Sequence, residues 1–338
     1  AGDGHDAETN NLGIGKGSLG GAIAGGEYNV AVGNFSLDAL TSSDFNTAIG
    51  YNAGTAITTG AKNTILGAEA GEALVSTPLN VIIGYAAGKA ATTAAFNVIV
   101  GAEAVTTGVL TGNSNVIMGK GAATNATSAA SNVIIGQGAV DTGVMTAATS
   151  VIIGNEAGRN KTSGSNCIFI GYQAGEQVTT GQNNIFMGSN AGDDFDTEGN
   201  NIGIGSSALG GAIAGGEFNI AIGHDSLDAL TSGDSNTAIG FNAGSALTSP
   251  NGNTILGSGA AAAATTSEDN VVIGKDAASQ ATFTGDDNVI IGKDAGSNIT
   301  SPAGNVIIGT GAVDTGVLTG FNNVVIGKLA GQDMTSAD

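Results

Sequence analysis

One five-residue pattern recurs along the whole chain and ends each time in glycine. It consists of Asn (replaced only by Ser150 and Cys167), a Val, Thr, Ile or Leu, a variable residue, an aliphatic residue or Met, and Gly, as in NVIIG at 80–84 and NVVIG at 270–274. Nineteen such units follow one another from Gly15 to Gly327, with 17 or 18 residues between closing glycines. A β-branched segment that ends in glycine is typical of a short strand followed by a tight turn. The small residues and threonines in the second half of each unit predict a second short strand.

The length of the unit decides the fold class. Seventeen or eighteen residues are too few for a helical-hairpin repeat or a propeller blade. We therefore predict an all-β fold, a parallel β-solenoid or β-roll of about nineteen coils, in which each strand stacks on its equivalents. At about 4.8 Å per coil, this array would extend for roughly 90 Å. We assign residues 11–331 to a single repeat array, 1–10 to a polar leader and 332–338 to a polar tail.

A longer repeat is superimposed on the coils. The segment LGGAIAGGE at 19–27 returns at 209–217, and SLDALTS at 36–42 returns at 226–232. Both pairs are separated by 190 residues, which corresponds to eleven units. This indicates growth by duplication of blocks as well as of single units.

Alignment on the closing glycine assigns a role to each position of the coil. The residue just before the glycine is aliphatic or Met in every unit, and the residue two positions earlier is Val, Ile, Leu or Thr. We predict that both point inward, because alternate residues of a strand share one face. The third residue after the glycine is always Ala or Ser, which predicts a tight inside corner. The predicted coil core includes Ile14, Val32, Ile49, Leu66, Ile83, Ile135, Ile153, Ile170, Ile239, Ile273 and Ile308.

The residue between these two aliphatic positions would then point outward. It is never polar in any of the nineteen units. An exposed apolar column of that length exceeds what a soluble monomer tolerates, so we predict that identical chains cover it around a symmetry axis. A homotrimer is the expected state. The bulky members of this predicted oligomer-interface column are Ile65, Ile82, Ile99, Ile117, Ile134, Ile152, Phe169, Phe186, Ile255, Val272, Ile290, Ile307 and Val325.

Composition excludes several classes of protein. The chain has 58 Gly but only 3 Pro, no Trp and one Cys, which excludes collagen, an intrachain disulfide framework and cysteine-based zinc sites. Its net charge of −20 argues against binding to nucleic acid or anionic lipid. No apolar run is long enough for a membrane-spanning helix, and residues 1–10 are not a signal peptide. A trimer would carry a charge of about −60, which favours a saline medium.

The motif resembles two related groups of proteins. NTAIGYNAG at 46–54 and NTAIGFNAG at 236–244 are similar to the repeats of trimeric autotransporter adhesin heads and of phage tail or capsid fibres, especially marine ones. The resemblance extends over residues 11–331 and implies a homotrimeric β-roll with an attachment role, outside the cell or on a virion. It also implies a glycan or protein receptor on a host surface. The coils are longer than those of the adhesin heads, and neither a neck motif nor a coiled-coil stalk appears.

Few residues could carry catalysis. His224, Asp225 and Ser226 are the types found in a hydrolytic triad, but adjacent residues cannot form its relay, and Ser226 matches the small corner position. Cys167 takes the Asn position of its unit and is expected to be structural, as is the row of asparagines. The acidic segments at 193–200 and 285–288 are expected to be solvated turns. We predict no enzyme activity, no cofactor and no metal.

The sequence therefore predicts an extracellular structural fibre or adhesin subunit. Three alternatives stay open: an ice- or crystal-binding solenoid that uses its threonines, a non-enzymatic self-assembling surface filament, and a polysaccharide depolymerase. Adjacent threonine pairs such as Thr58–Thr59 face opposite ways, which disfavours ice binding. The lack of Trp and of a cleft-like charged cluster disfavours the depolymerase.

Overall fold

The computed structural model describes residues 10–211, 215–280, 282–300, 303–332 and 334. In these residues it contains nineteen strands of three residues each and no helix, which confirms the all-β solenoid prediction. Each strand coincides with the three residues before a closing glycine. The strands are β1 Leu12–Ile14, β2 Val30–Val32, β3 Thr47–Ile49, β4 Thr64–Leu66, β5 Val81–Ile83, β6 Val98–Val100, β7 Val116–Met118, β8 Val133–Ile135, β9 Val151–Ile153, β10 Ile168–Ile170, β11 Ile185–Met187, β12 Ile202–Ile204, β13 Ile220–Ile222, β14 Thr237–Ile239, β15 Thr254–Leu256, β16 Val271–Ile273, β17 Val289–Ile291, β18 Val306–Ile308 and β19 Val324–Ile326.

The contacts divide the chain into two large units, each made of many coils: the first unit is residues 1–167 and the second unit is residues 168–338. In the first unit β1 to β9 pair consecutively, and in the second β10 to β19 do the same, always in parallel. The register never slips: Ile82 pairs with Ile99 in the first unit, and Ile290 pairs with Ile307 in the second. The predicted leader and tail fall largely on residues 1–9, 333 and 335–338, which lie outside the described residues.

The prediction for the two faces of the strand is wrong. The middle residue of each strand points into the coil, and the first and third residues point out. Every bulky member of the predicted oligomer column is buried within its own chain: Ile65, Ile82, Ile99, Ile117, Ile134, Ile152, Phe169, Phe186, Ile255, Val272, Ile290, Ile307 and Val325. Of the predicted core, Ile14, Ile49 and Leu66 are exposed, and the following are half-buried: Val32, Ile83, Ile135, Ile153, Ile170, Ile239, Ile273 and Ile308.

The asparagine row explains this orientation. Asn63 lies two residues before the middle strand residue Ile65, so strand alternation places both on one face. The Asn46 Oδ1 accepts two hydrogen bonds from Asn63, one from its backbone N–H at 3.0 Å and one from its side-chain Nδ2 at 3.1 Å. Asn63 Nδ2 also donates to the carbonyl of Thr77 at 3.0 Å. The row satisfies buried polar groups from coil to coil and therefore belongs inside, which confirms its structural role and fixes the middle residue inside with it.

Volumes inside the coil are complementary. Ala31 is followed six residues later by buried Leu37, whereas Phe186 is followed at the same distance by Gly192. A Cβ added to Gly192 would lie 2.6 Å from the Phe186 ring. In these coils the size of the middle residue is therefore balanced by the residue six positions later, as close packing requires.

The turns are the other element of each coil. The third residue after the closing glycine is buried, as in Ala53, Ala70 and Ser36, which confirms the tight corner. The predicted second strand is absent from the described residues, apart from an isolated bridge between Ala130 and Ala148. Single hydrogen bonds such as Thr41 N to Thr58 O at 2.9 Å join these segments instead, because their turns and small residues do not sustain a ladder.

Candidate functional site: the outer strand face

In each of the two units, the first and third residues of the strands form a surface, and we call this surface the outer strand face. None of its residues is charged, although the chain carries a net charge of −20. Its third positions are all Ile, Leu, Val or Met, and its first positions are Val, Ile or Leu except for Thr47, Thr64, Thr237 and Thr254. Aliphatic residues in a row on an exposed sheet are typical of an interaction surface.

The outer strand face is accessible to solvent in the single chain. Leu12 and Ile14 of β1 are 48% and 54% exposed, and Val324 and Ile326 of β19 are 69% and 64% exposed. In β5 the outer residues Val81 and Ile83 are half-buried by their neighbours in adjacent coils, while Ile82 between them is fully buried. Apolar area is therefore available for burial in every coil, and not only at a local patch.

Aromatic side chains lie beside this face. Tyr28 and Phe45 each precede the asparagine of their coil, and their rings stack with centroids 5.1 Å apart and planes within 2°. Tyr51 and Tyr85 each follow a closing glycine. All four are about half exposed. These rings extend the apolar surface on both flanks of the strands in the first unit.

Charged side chains lie on the turns beyond the closing glycine. Lys89 Nζ is 2.7 Å from a Glu69 carboxylate oxygen and 3.3 Å from one of Glu72. Lys89 donates hydrogen bonds to Glu69 and to Glu72, and these bonds, the one to Glu69 first, raise the pKa of Lys89 above its ordinary value. A shallow groove of about 250 Å³ on the same side is lined by polar residues that include Glu103, Lys120 and Asp141. Charged residues also border the strands, as Lys62 does just before Asn63 and Lys275 just after Gly274, so charge is absent from the outer strand face itself but not from its flanks.

Of the three triad-like residues, His224 and Asp225 contact each other, while the Ser226 hydroxyl is used between coils. His224 Nδ1 lies 2.8 Å from a carboxylate oxygen of Asp225. Ser226 is fully buried at the corner of its coil, and its hydroxyl donates to the carbonyl of Ala238 at 3.0 Å. The structure therefore uses the Ser226 hydroxyl to join neighbouring coils.

The acidic segment at 193–200 also has a structural use. Glu198 is buried, and its carboxylate accepts backbone N–H groups of Asp196 at 3.1 Å, Thr197 at 3.0 Å and Gly215 at 3.0 Å. Burial is the main cause that raises the pKa of Asp193, and a hydrogen bond from Asn190 opposes it. Across the described part of the chain, no three His, Cys, Asp or Glu side chains come together as a metal site would need.

Lys161 is a feature that sequence reasoning missed. It lies seven residues after Gly154, a position that is apolar or glycine in the other units, and it is fully buried. Its Nζ is 3.3 Å from the Sγ of Cys167, which is also fully buried. The signal was present in the sequence, since alignment of the seventh residue after each closing glycine shows a single charged residue.

Comparisons with known proteins do not identify a family. No protein-family model matches the chain, and no curated protein matches its sequence. The described residues contain no helix that could cross a membrane.

Proposed function

We propose that the chain is a subunit of a homo-oligomeric extracellular fibre that projects from a virion or a cell surface and mediates attachment. The observation that carries this proposal is the outer strand face, which is free of charge in all nineteen coils. Burial of apolar surface contributes about 25 cal/mol per Å², and every coil adds to it. The natural cover is the same face on identical chains, because only such a partner repeats with the same spacing.

Three copies is the number that the resemblance to trimeric β-rolls implies. In this arrangement the outer strand faces would meet around the axis, and the charged turns would face water. The proposed interface is therefore not the column of middle strand residues, because those residues are buried inside the coils of their own chain. The assembly would act mechanically, without a catalytic step, and would present many copies of weak contacts to a glycan or protein receptor.

Native mass spectrometry and sedimentation of the purified chain test the assembly directly. We expect a trimer in the wild type and dissociation on Ile83→Lys, because this change places a charge in the apolar interface. Thr93→Lys is the matched control: Thr93 is an exposed turn residue, and its substitution should leave the assembly intact. A wild-type chain that stays monomeric at every concentration tested would refute the proposal.

A further inference from the structure

One coil departs from the repeat at two positions, and the two departures touch each other. Cys167 replaces the asparagine found in seventeen of the nineteen units. Lys161 replaces the apolar residue or glycine found at the equivalent position of the other eighteen. Because the remaining coils fold without these residues, neither is needed to build a coil. Their occurrence together, with Nζ and Sγ 3.3 Å apart, indicates a feature specific to this coil.

The environment of the pair favours the neutral, nucleophilic form of the amine. Burial is the main cause that lowers the pKa of the Lys161 ammonium, and the contact with Cys167 opposes it. The thiol of Cys167 also lies 3.6 Å from the carbonyl of Ser165, and its backbone N–H donates to Ser150 Oγ at 3.3 Å. Because the amine touches the sulfur, it can relay the thiol proton to the leaving oxygen while the sulfur reacts with an oxidant, and it is neutral again afterwards.

We propose that Lys161 and Cys167 form a modification site, at which hydrogen peroxide drives formation of a covalent bond between Lys161 Nζ and Cys167 Sγ. This inference concerns the interior of one coil and does not rest on the proposed fibre function.

The reaction has two steps. In the first, the sulfur attacks one peroxide oxygen, the O–O bond breaks, an S–O bond forms and one water leaves, which gives a sulfenic acid. In the second, the amine nitrogen attacks the sulfur, the S–O bond breaks, and the oxygen leaves with a nitrogen proton as a second water. The sulfur is oxidised by two electrons, the peroxide is reduced to two waters, and the chain loses two hydrogens. Sulfenic acids are known to condense with nitrogen in this manner.

Burial favours the second step over competing reactions. Peroxide is small and can enter during local opening of the coil, whereas a larger thiol reductant is held away from the intermediate. The amine is already in contact with the sulfur, so bond formation is intramolecular and benefits from a high effective concentration. The product would close a seven-residue ring of chain, 161–167, and should slow the opening of this coil.

The experiment uses the full chain, reduced and then exposed under native conditions to hydrogen peroxide. We expect trypsin to stop cleaving after Lys161, so that one peptide spans residues 160–275 and lacks two hydrogens. A thiol reductant added after unfolding should restore both the cleavage and the two hydrogens. The same peroxide treatment of the unfolded chain should not give the bond, because the contact exists only in the coil.

Two variants that return the coil to the repeat pattern serve as controls. Cys167→Asn restores the asparagine row, and Lys161→Met restores an apolar interior, so both should fold. Neither should yield the product that lacks two hydrogens. The proposal is overturned if the oxidised wild type is still cleaved after Lys161, or if Cys167 gains only oxygen as sulfenic, sulfinic or sulfonic acid.

Discussion

The side-chain oxygen of Asn63 accepts the backbone N–H of Asn80 at 3.0 Å, one coil further along the chain. Both asparagines are buried. Asn80 lies just before β5, so its backbone N–H is outside the three-residue strand, and the Asn63 side chain satisfies this donor. Each asparagine extends the hydrogen bonding of its strand by one position, which is why such short strands suffice.

Asn63→Ala should therefore destabilise the protein strongly. It leaves the backbone N–H of Asn80 and the carbonyl of Thr77 buried without these bonds, and a buried unsatisfied group costs about 1–3 kcal/mol. We expect a loss of about 3 kcal/mol in the free energy of unfolding, measured by denaturant titration. Asn155→Ala, at a half-exposed turn position, should change the value by less than about 0.5 kcal/mol. Equal effects of the two substitutions would contradict a structural role for the row.

The two faces of β5 should respond in opposite ways to the same charge. Ile82→Lys places an ammonium in the coil interior, so we expect loss of the β signal in circular dichroism and loss of amide protection around 81–83. Ile83→Lys places it on the outer strand face and should keep both signals. If Ile83→Lys were the variant that unfolds, the orientation of the strands described above would be wrong.

Interior volumes should show coupling between paired positions. Ala31→Ile overfills the coil that already holds Leu37, at a cost of about 1–3 kcal/mol. Leu37 has a φ of +50°, a region that favours glycine, so Leu37→Gly combined with Ala31→Ile recreates the pairing of Ile65 with Gly71. We expect the double variant to be more stable than the sum of the single effects by about 1 kcal/mol or more. Strict additivity in the double-mutant cycle would exclude this exchange of volume.

The buried amine should give the stability a specific dependence on pH. The folded pKa of Lys161 lies below its ordinary value of 10.5, so between these two values the unfolded chain binds a proton that the folded chain does not. The free energy of unfolding should then rise as pH increases through this window. The effect is isolated by comparing Cys167→Asn with Cys167→Asn combined with Lys161→Met, because the thiol titrates nearby. Parallel pH profiles for the two proteins would show that Lys161 is not desolvated.

The sequence predicted the repeat, the strand positions and the parallel stacking, because β-branched segments and glycines recur at a fixed spacing. It did not predict which strand face is inside, since Val81, Ile82 and Ile83 are all apolar and alternation alone fits either phase. The asparagine two positions before Ile82 indicates the correct phase, because a hydrogen-bonded row of amides is stable only when it is shielded from water, and strand alternation then places Ile82 inside as well. The compensation between Phe186 and Gly192 was a second signal. The contact of Lys161 with Cys167 depends on the path of the turn and could not be derived from spacing.

The closing glycines show why the repeat tolerates so little change at one position. Gly50 has a φ of +143°, and a Cβ on it would overlap the carbonyl oxygen of Gly67. Gly50→Ala should therefore open the stack between these two coils, with faster hydrogen exchange at 47–49 than in the wild type. Thr93→Ala, at an exposed turn, should leave exchange there unchanged.

Unslipped pairing of consecutive strands within each unit has an evolutionary consequence. Removal or gain of one whole coil would bring together neighbours that already match, so recombination between similar gene segments can alter the number of coils without redesigning any of them. The reach of such a protein would then be a trait adjustable in small, nearly neutral steps, whereas loss of a few residues within a coil would be purged.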